Sequence, residues 1–82
     1  MFYTYVLVSE SRNYIYVGLT DNLDRRFNEH NSGLNKTTKP YRPFRVLFSE
    51  KHDTRILARE REKYLKSGVG KEYIKTIIAH QG

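Results

Sequence analysis

The sequence predicts a small α/β domain in the order strand, strand, helix, strand, helix, helix. Three observations carry that prediction. Two short runs rich in aromatic and β-branched residues, 2–8 and 14–17, alternate with period two across a polar stretch at 9–13. At Leu23 and Phe27 the apolar spacing lengthens to four, the period of a helix face. A third apolar run at 44–49 then precedes two further helical stretches, ending near 67 and at 80.

Composition bounds the rest. Eighty-two residues make one domain, 1–82, without room for a second core. A chain this short buries only about 60% of its unfolded surface, so its stability is expected to be modest. There are no cysteines, which excludes a disulfide framework and a thiolate zinc site. No apolar run reaches about 18 residues and no signal-peptide pattern opens the chain, so a cytoplasmic protein without a membrane partner is expected. Fifteen Lys and Arg against nine Asp and Glu give a formal charge of +6. Such a balance favours a polyanionic partner, because each phosphate neutralised releases counterions. Charge alone fits a generically basic protein equally well. The motifs must decide.

In the first strand, Tyr3, Tyr5 and Leu7 share one face, and Thr4, Val6 and Val8 share the other. The second strand sets Tyr14, Tyr16 and Gly18 against Ile15 and Val17, with Gly18 ending the run. A matched hairpin register puts Tyr3, Tyr5, Tyr14 and Tyr16 on one side of the ribbon. Thr20, Asp21 and Asn22 offer oxygens to cap a helix from Leu23. On that helix Arg26 and His30 lie four apart, on the row beside Leu23 and Phe27. Phenol, guanidinium and imidazole are thereby gathered in one place.

Residues 31–43 read as a loop holding Lys36, Lys39 and Arg42 around Tyr41. That mixture suits a phosphate backbone with a base stacked beside it, and equally a solvated connector. The run 44–49 is nearly continuous in apolar character, which suggests the central strand, and 50–53 reads as a turn. Asp53 or Thr54 caps the next helix. On its wheel Leu57, Ala58, Tyr64 and Leu65 fill one arc, with Glu62 at the edge beside Ala58 and Glu60 pointing away. Arg61 falls inside the apolar arc, where it must snorkel or find an acidic or phosphate partner. Gly68 sits where a C-terminal glycine cap belongs, and 71–80 forms a last helix with Tyr73, Ile74, Ile77 and Ile78 as its stripe.

Several of these pieces form a known pattern. Tyr16-Val17-Gly18 is followed by Asn22-Leu23-Asp24-Arg25-Arg26 and then His30. Tyr3-Thr4-Tyr5 precedes them, and Ala58 with Arg61-Glu62-Lys63-Tyr64-Leu65-Lys66 follows. This ordered set, spanning about residues 3–75, resembles the GIY-YIG endonuclease superfamily. The likeness is to its small single-domain members, related to the nuclease domain of the excinuclease C subunit. Two positions depart from the pattern: Tyr3 stands where the first triplet normally has glycine, and Thr4 replaces isoleucine.

The resemblance implies a three-stranded antiparallel sheet flanked by about three helices. It further implies metal-dependent hydrolysis of phosphodiester bonds in DNA, in repair or on branched structures. Glu62 matches the glutamate that holds one Mg²⁺ or Mn²⁺, and Arg26 matches the arginine that contacts phosphate oxygens. Tyr16 matches the tyrosine that activates water, with Tyr5 close by. Chemistry alone favours His30 as the base, because its reference pKa of about 6.5 suits neutral pH and that of a phenol, about 10, does not. The resemblance favours Tyr16, with His30 assisting in proton relay or phosphate contact. Read as residues only, Glu62 pairs with Lys66, Arg26 pairs with Asn22 or Glu29, and His30 lies on a helix surface.

The partner expected is DNA or RNA, contacted by Lys36, Lys39, Arg42, Arg61 and Lys66. A lone nuclease domain also calls for a protein partner to supply target specificity. The rival reading is a non-catalytic nucleic-acid-binding module that keeps the fold. A protein-interaction domain with a basic face toward an acidic partner is the weaker third.

Overall fold

The first strand, β1 (Phe2–Ser9), lies in the middle of the sheet, between β2 (Ile15–Thr20) and β3 (Phe44–His52). Both pairings are antiparallel, giving the order β2-β1-β3. A computed structural model describes residues 1–81. Four successive β1 residues, Thr4, Tyr5, Val6 and Leu7, are fully buried, so the strand is covered on both faces. That burial makes β1 central, and the expectation for the run at 44–49 fails. β3 is an edge strand and buries only Phe44 and Leu47.

β3 is also longer than its apolar run. Glu50, Lys51 and His52, read from sequence as part of a turn, pair with Thr4, Tyr3 and Phe2. Polar side chains are tolerated there because an edge faces water, and the ladder satisfies the backbone groups. The register slips between Val6 and Leu7, where β3 carries Leu47 as an extra residue, a bulge.

Helices cover both faces. The helix α1 (Leu23–Ser32) brings Leu23 and Phe27 onto the face of Tyr5, Leu7 and Phe44. On the other face α2 (Arg55–Lys66) and α3 (Gly68–His80) add Leu65 and Ile74 to Val6, Val17 and Leu47. Each such aliphatic side chain contributes roughly 1.5–3 kcal/mol when fully buried. The Thr4 hydroxyl donates to the Ala58 carbonyl at 2.8 Å, fastening α2 across β1.

Local chemistry sets the helix ends. Asn22 and Thr54 cap α1 and α2 by accepting from the Arg25 and Leu57 amides. α1 closes at Gly33, whose φ of 83° is left-handed, so residues 31 and 32 finish the helix instead of opening the loop. Gly68 does not cap α2. Ser67 ends α2 and its hydroxyl accepts from the Gly70 amide, so one serine closes one helix and opens the next at Gly68. The buried face of α2 is also rotated from the expected arc. It centres on Ala58 and Leu65, while Leu57 and Tyr64 are half exposed. Tyr73 of α3 is likewise part-exposed, its ring edge-on to Phe48. Among the described residues no helix is long and apolar enough to cross a membrane.

Candidate active site

Gly18 does not end β2, which continues through Leu19 to Thr20. It lies mid-strand directly opposite Tyr5, and the Tyr5 ring crosses its bare α-carbon. A Cβ at that position would stand 2.5 Å from Tyr5 Cζ and 2.9 Å from Tyr16 Cε2. The glycine of the second triplet is therefore a cradle for the tyrosine of the first.

Tyr5 rests there fully buried, its hydroxyl 3.2 Å from His30 Nε2. His30 Nδ1 in turn lies 2.8 Å from the Thr38 hydroxyl, which donates to the Asn35 carbonyl. That donation leaves the Thr38 oxygen to accept from Nδ1–H, so Nε2 accepts from the Tyr5 hydroxyl. The helix-surface reading of His30 is overturned, since its side chain is completely buried. Burial, and then the Arg26 charge, lower its pKa below the ordinary value, with Glu29 opposing, so the imidazole is neutral at pH 7. Burial followed by the nearby Tyr16 pushes the Tyr5 phenol up to about 12, against the pull of Arg26. Tyr5 is a phenol throughout the neutral range.

Tyr16 and Arg26 form the more accessible layer above this chain. The Tyr16 ring lies 4.7 Å from that of His30 and 6.2 Å from that of Tyr5, and it is only partly buried. Arg26 Nη1 bonds Glu29 at 3.0 Å, the partner read from sequence, and its charge also bears on both phenols. The phenols, the guanidinium and the imidazole do converge.

Glu62 belongs to the other face. Its side chain is 14% exposed, with Arg59 at 3.5 Å on one oxygen and Lys66 at 3.4 Å on the other. Arg55, at the start of α2, shares a depression with Leu19, Thr20 and Arg26, and Lys66 shares a groove with Tyr16 and Val17. Glu62, between them on α2, therefore flanks β2. Among the described residues no three His, Cys, Asp or Glu side chains gather, so a metal at Glu62 would take fewer than three such ligands from the chain. That donor set fits Mg²⁺ or Mn²⁺, which keep several waters and take substrate phosphates as ligands.

The remaining basic residues divide. Arg61 receives the acidic one of its two expected partners: Glu50 binds its guanidinium through bonds of 2.7 and 3.1 Å, between the rings of Tyr64 and Tyr73. Lys36, Lys39 and Arg42 are exposed, as a binding loop needs. Lys39 and Arg42 also lie across Gly33, at the negative end of the α1 dipole. Tyr41 is already engaged, stacked on Tyr14 at 3.8 Å, and Ser9 and Ser11 tie its neighbourhood to the hairpin.

Sequence reasoning missed three contributors. Thr38 is a polar loop residue with no periodicity to mark it, yet it is fully buried and orients His30. Arg59 was detectable as an i−3 partner of Glu62. Arg12, on the hairpin, sits 5.9 Å over the Tyr41 ring, a contact only the fold creates.

Comparison with known proteins agrees with this geometry. A family model described as the GIY-YIG catalytic domain matches residues 1–75. No curated protein matches the chain. Among solved structures it is similar to the solution NMR structure of the UPF0213 protein BH0048 from Bacillus halodurans. The two share 30% identity over 94% of this chain and 85% of that one, with a TM-score of 0.56. Triplets, sheet order and the tyrosine cradle thus sit within one family match: the chain belongs to the GIY-YIG catalytic domain family, whose members are endonucleases acting on nucleic acids.

Proposed function

We propose that this chain is a divalent-metal-dependent endonuclease of the cytoplasm, hydrolysing phosphodiester bonds in DNA during repair or at branched structures. The observation that carries the reading is the two-layer arrangement of Tyr16 and Arg26 above the buried Tyr5–His30–Thr38 chain. A neutral imidazole bonded to a buried phenol, beside an accessible one, is placed to take up a proton passed inward from the surface. Glu62 would hold Mg²⁺ or Mn²⁺, which when bound would polarise the phosphoryl group and ease departure of the leaving oxygen.

The chain's own residues take the remaining roles. Arg26 gives its fork to the nonbridging phosphate oxygens, exchanging Glu29 for substrate. Tyr16, the accessible phenol, takes the proton of the attacking water on its oxygen as its own hydroxyl proton passes to the Tyr5 oxygen and that of Tyr5 to His30 Nε2. His30 is too buried to touch water or phosphate, which excludes direct phosphate contact and leaves it to act through Tyr5. Its neutral Nε2 orients the Tyr5 hydroxyl and stands ready to accept that proton. Tyr5 itself, with its raised pKa, positions and relays; it is not the base.

One observation favours the rival reading of a binding module without turnover. Both Glu62 oxygens already face cations, Arg59 and Lys66, so the carboxylate has a structural use. Glu62→Gln separates the two readings. The variant is expected to fold, to bind DNA at least as tightly as wild type, and to lose cleavage in Mg²⁺ and in Mn²⁺ alike. Glu60→Gln, on the exposed face of α2, is the matched control and keeps activity. Metal-independent binding without any cleavage of nicked, flapped, branched or single-stranded DNA by wild type leaves the binding module standing.

A further inference from the structure

β2 is an edge strand, and basic side chains gather at both ends of that edge. Past Thr20, Arg25, Arg26 and Arg55 line one shallow depression with Asp21, where Arg25 pairs with Asp21 and Arg26 with Glu29, leaving a net positive charge. At the opposite end Lys66, Lys71 and Lys75 wall a groove of about 560 Å³ floored by Tyr14, Ile15 and Tyr16, above the buried Val17 and Ile74. Tyr16 borders this second groove, and Glu62 lies between Arg55 and Lys66 along α2. The two basic stretches are therefore the ends of one path that passes the candidate active site.

We propose that a single unpaired nucleic-acid strand follows the β2 edge, its continuation beyond the scissile bond held in the groove under Lys66, Lys71 and Lys75. The proposal rests on the nuclease reading only for what happens at the middle of the path. Its own support is charge and shape. Lysines clustered on one wall repel one another, and the acids nearby offset this only in part: Lys66 meets Glu62 at 3.4 Å. Among the described residues Lys71 makes no ion pair, and Lys75 meets Glu72 at 3.5 Å in an exposed contact of small worth. Phosphates would relieve that repulsion.

The apolar floor selects the form of the nucleic acid. A single strand presents base faces that can rest on Ile15 and on the part-exposed rings of Tyr14 and Tyr16 while its phosphates meet the lysines. A duplex stacks its bases inside and offers this floor nothing. The groove is also of small-molecule size, enough for a nucleotide or two. A peptide adding a strand to the β2 edge would use the same floor but would leave the lysines without partners. The loop of Lys36, Lys39 and Arg42 adjoins the hairpin end of this groove, where Tyr14 stacks on Tyr41 at 3.8 Å, but its basic side chains do not line the groove and can be replaced separately.

The test is made in the Glu62→Gln background, so that nothing is cut. Anisotropy of a labelled single-stranded oligonucleotide and of an equally long blunt duplex is followed across a salt series. Lys71→Ala/Lys75→Ala is expected to flatten the slope of log K against log salt for the single strand by about 1.4, at about 0.7 per phosphate contact. The duplex slope should not change. Arg45→Ala/Lys51→Ala removes the same charge from the opposite edge, on β3, and should change neither. An unchanged single-strand slope overturns the proposal, as does an equal loss for duplex or for the β3 control. Cleavage is scored separately on the Glu62-containing protein. No cleavage together with a flattened slope sinks the nuclease reading and spares the path; Glu62-dependent cleavage with an unchanged slope does the reverse.

Discussion

Gly18→Ala adds one methyl group at the centre of the site, and the structure fixes where it must go. The new Cβ would lie 2.5 Å from Tyr5 Cζ and 2.9 Å from Tyr16 Cε2, both well inside van der Waals contact. Tyr5 cannot swing aside cheaply, since its ring is fully buried and its hydroxyl is bonded to His30. Overpacking of a dense core costs about 1–3 kcal/mol, and a clash against a ring belongs near the top of that range. Alanine returns about 0.5–1 kcal/mol over glycine within a strand. The net loss is about 2 kcal/mol, which for a domain of this size lowers Tm by about 8–16 °C.

Thermal and urea unfolding followed by circular dichroism would measure that loss. The cause is tested by a double-mutant cycle with Tyr5→Leu, which removes the ring that the methyl strikes. Gly18→Ala should cost clearly less in that background than in wild type. A variant as stable as wild type, or the same loss with and without the ring, would refute the cradle.

Two further predictions use the same cluster. His30 has a lowered folded pKa, so below about pH 6.5 the unfolded chain binds the extra proton and stability falls; one such histidine contributes at most about 1.4 kcal/mol between pH 7.5 and 5.5. His30→Gln should flatten that part of the urea-derived profile, and a profile parallel to wild type would remove His30 from the cause. Tyr16→Phe should leave folding intact and cut cleavage by roughly 10² to 10⁴, the usual cost of losing a general base. His30→Gln should cost cleavage only about tenfold by the same kind of estimate, and the reverse ranking would make His30 the base.

The sequence carried most of the local chemistry and least of the long-range placement. The tyrosine face was legible because strand alternation is strict and the hairpin pairs neighbours, whereas the pairing of Tyr5 with Gly18 was not, because parity sets a face and only the register sets a partner. Asn22 and Thr54 were legible because a cap acts within one turn. The centrality of β1 was not, because an apolar run looks alike whether a strand is in the middle or at an edge beside helices. The burial of His30 was not legible either, because its lid is Thr38, a loop residue placed by the chain's return to β3. Arg61 announced its conflict on the helix wheel, but the answer, Glu50, came from a residue that sequence had assigned to a turn.

Topology explains why β2 must be an edge for the proposed chemistry to work. Tyr5, Tyr16 and Arg26 occupy the α1 face of the sheet, whereas Glu62 projects from α2 on the other face. Were β2 in the middle, a neighbouring strand would separate the phenols from the carboxylate, and no single phosphate could reach both. At an edge the two faces meet around one strand, and the substrate need only lie along that strand. The order β2-β1-β3 supplies this by giving the doubly covered position to β1, whose fully buried Thr4–Leu7 segment tolerates no solvent on either side. The small side at Gly18 then matters twice over: it admits the Tyr5 ring from one face and keeps the strand narrow where the two halves of the site must approach. On this reasoning the same edge that a sheet ordinarily has to protect from pairing is left open because it is the site.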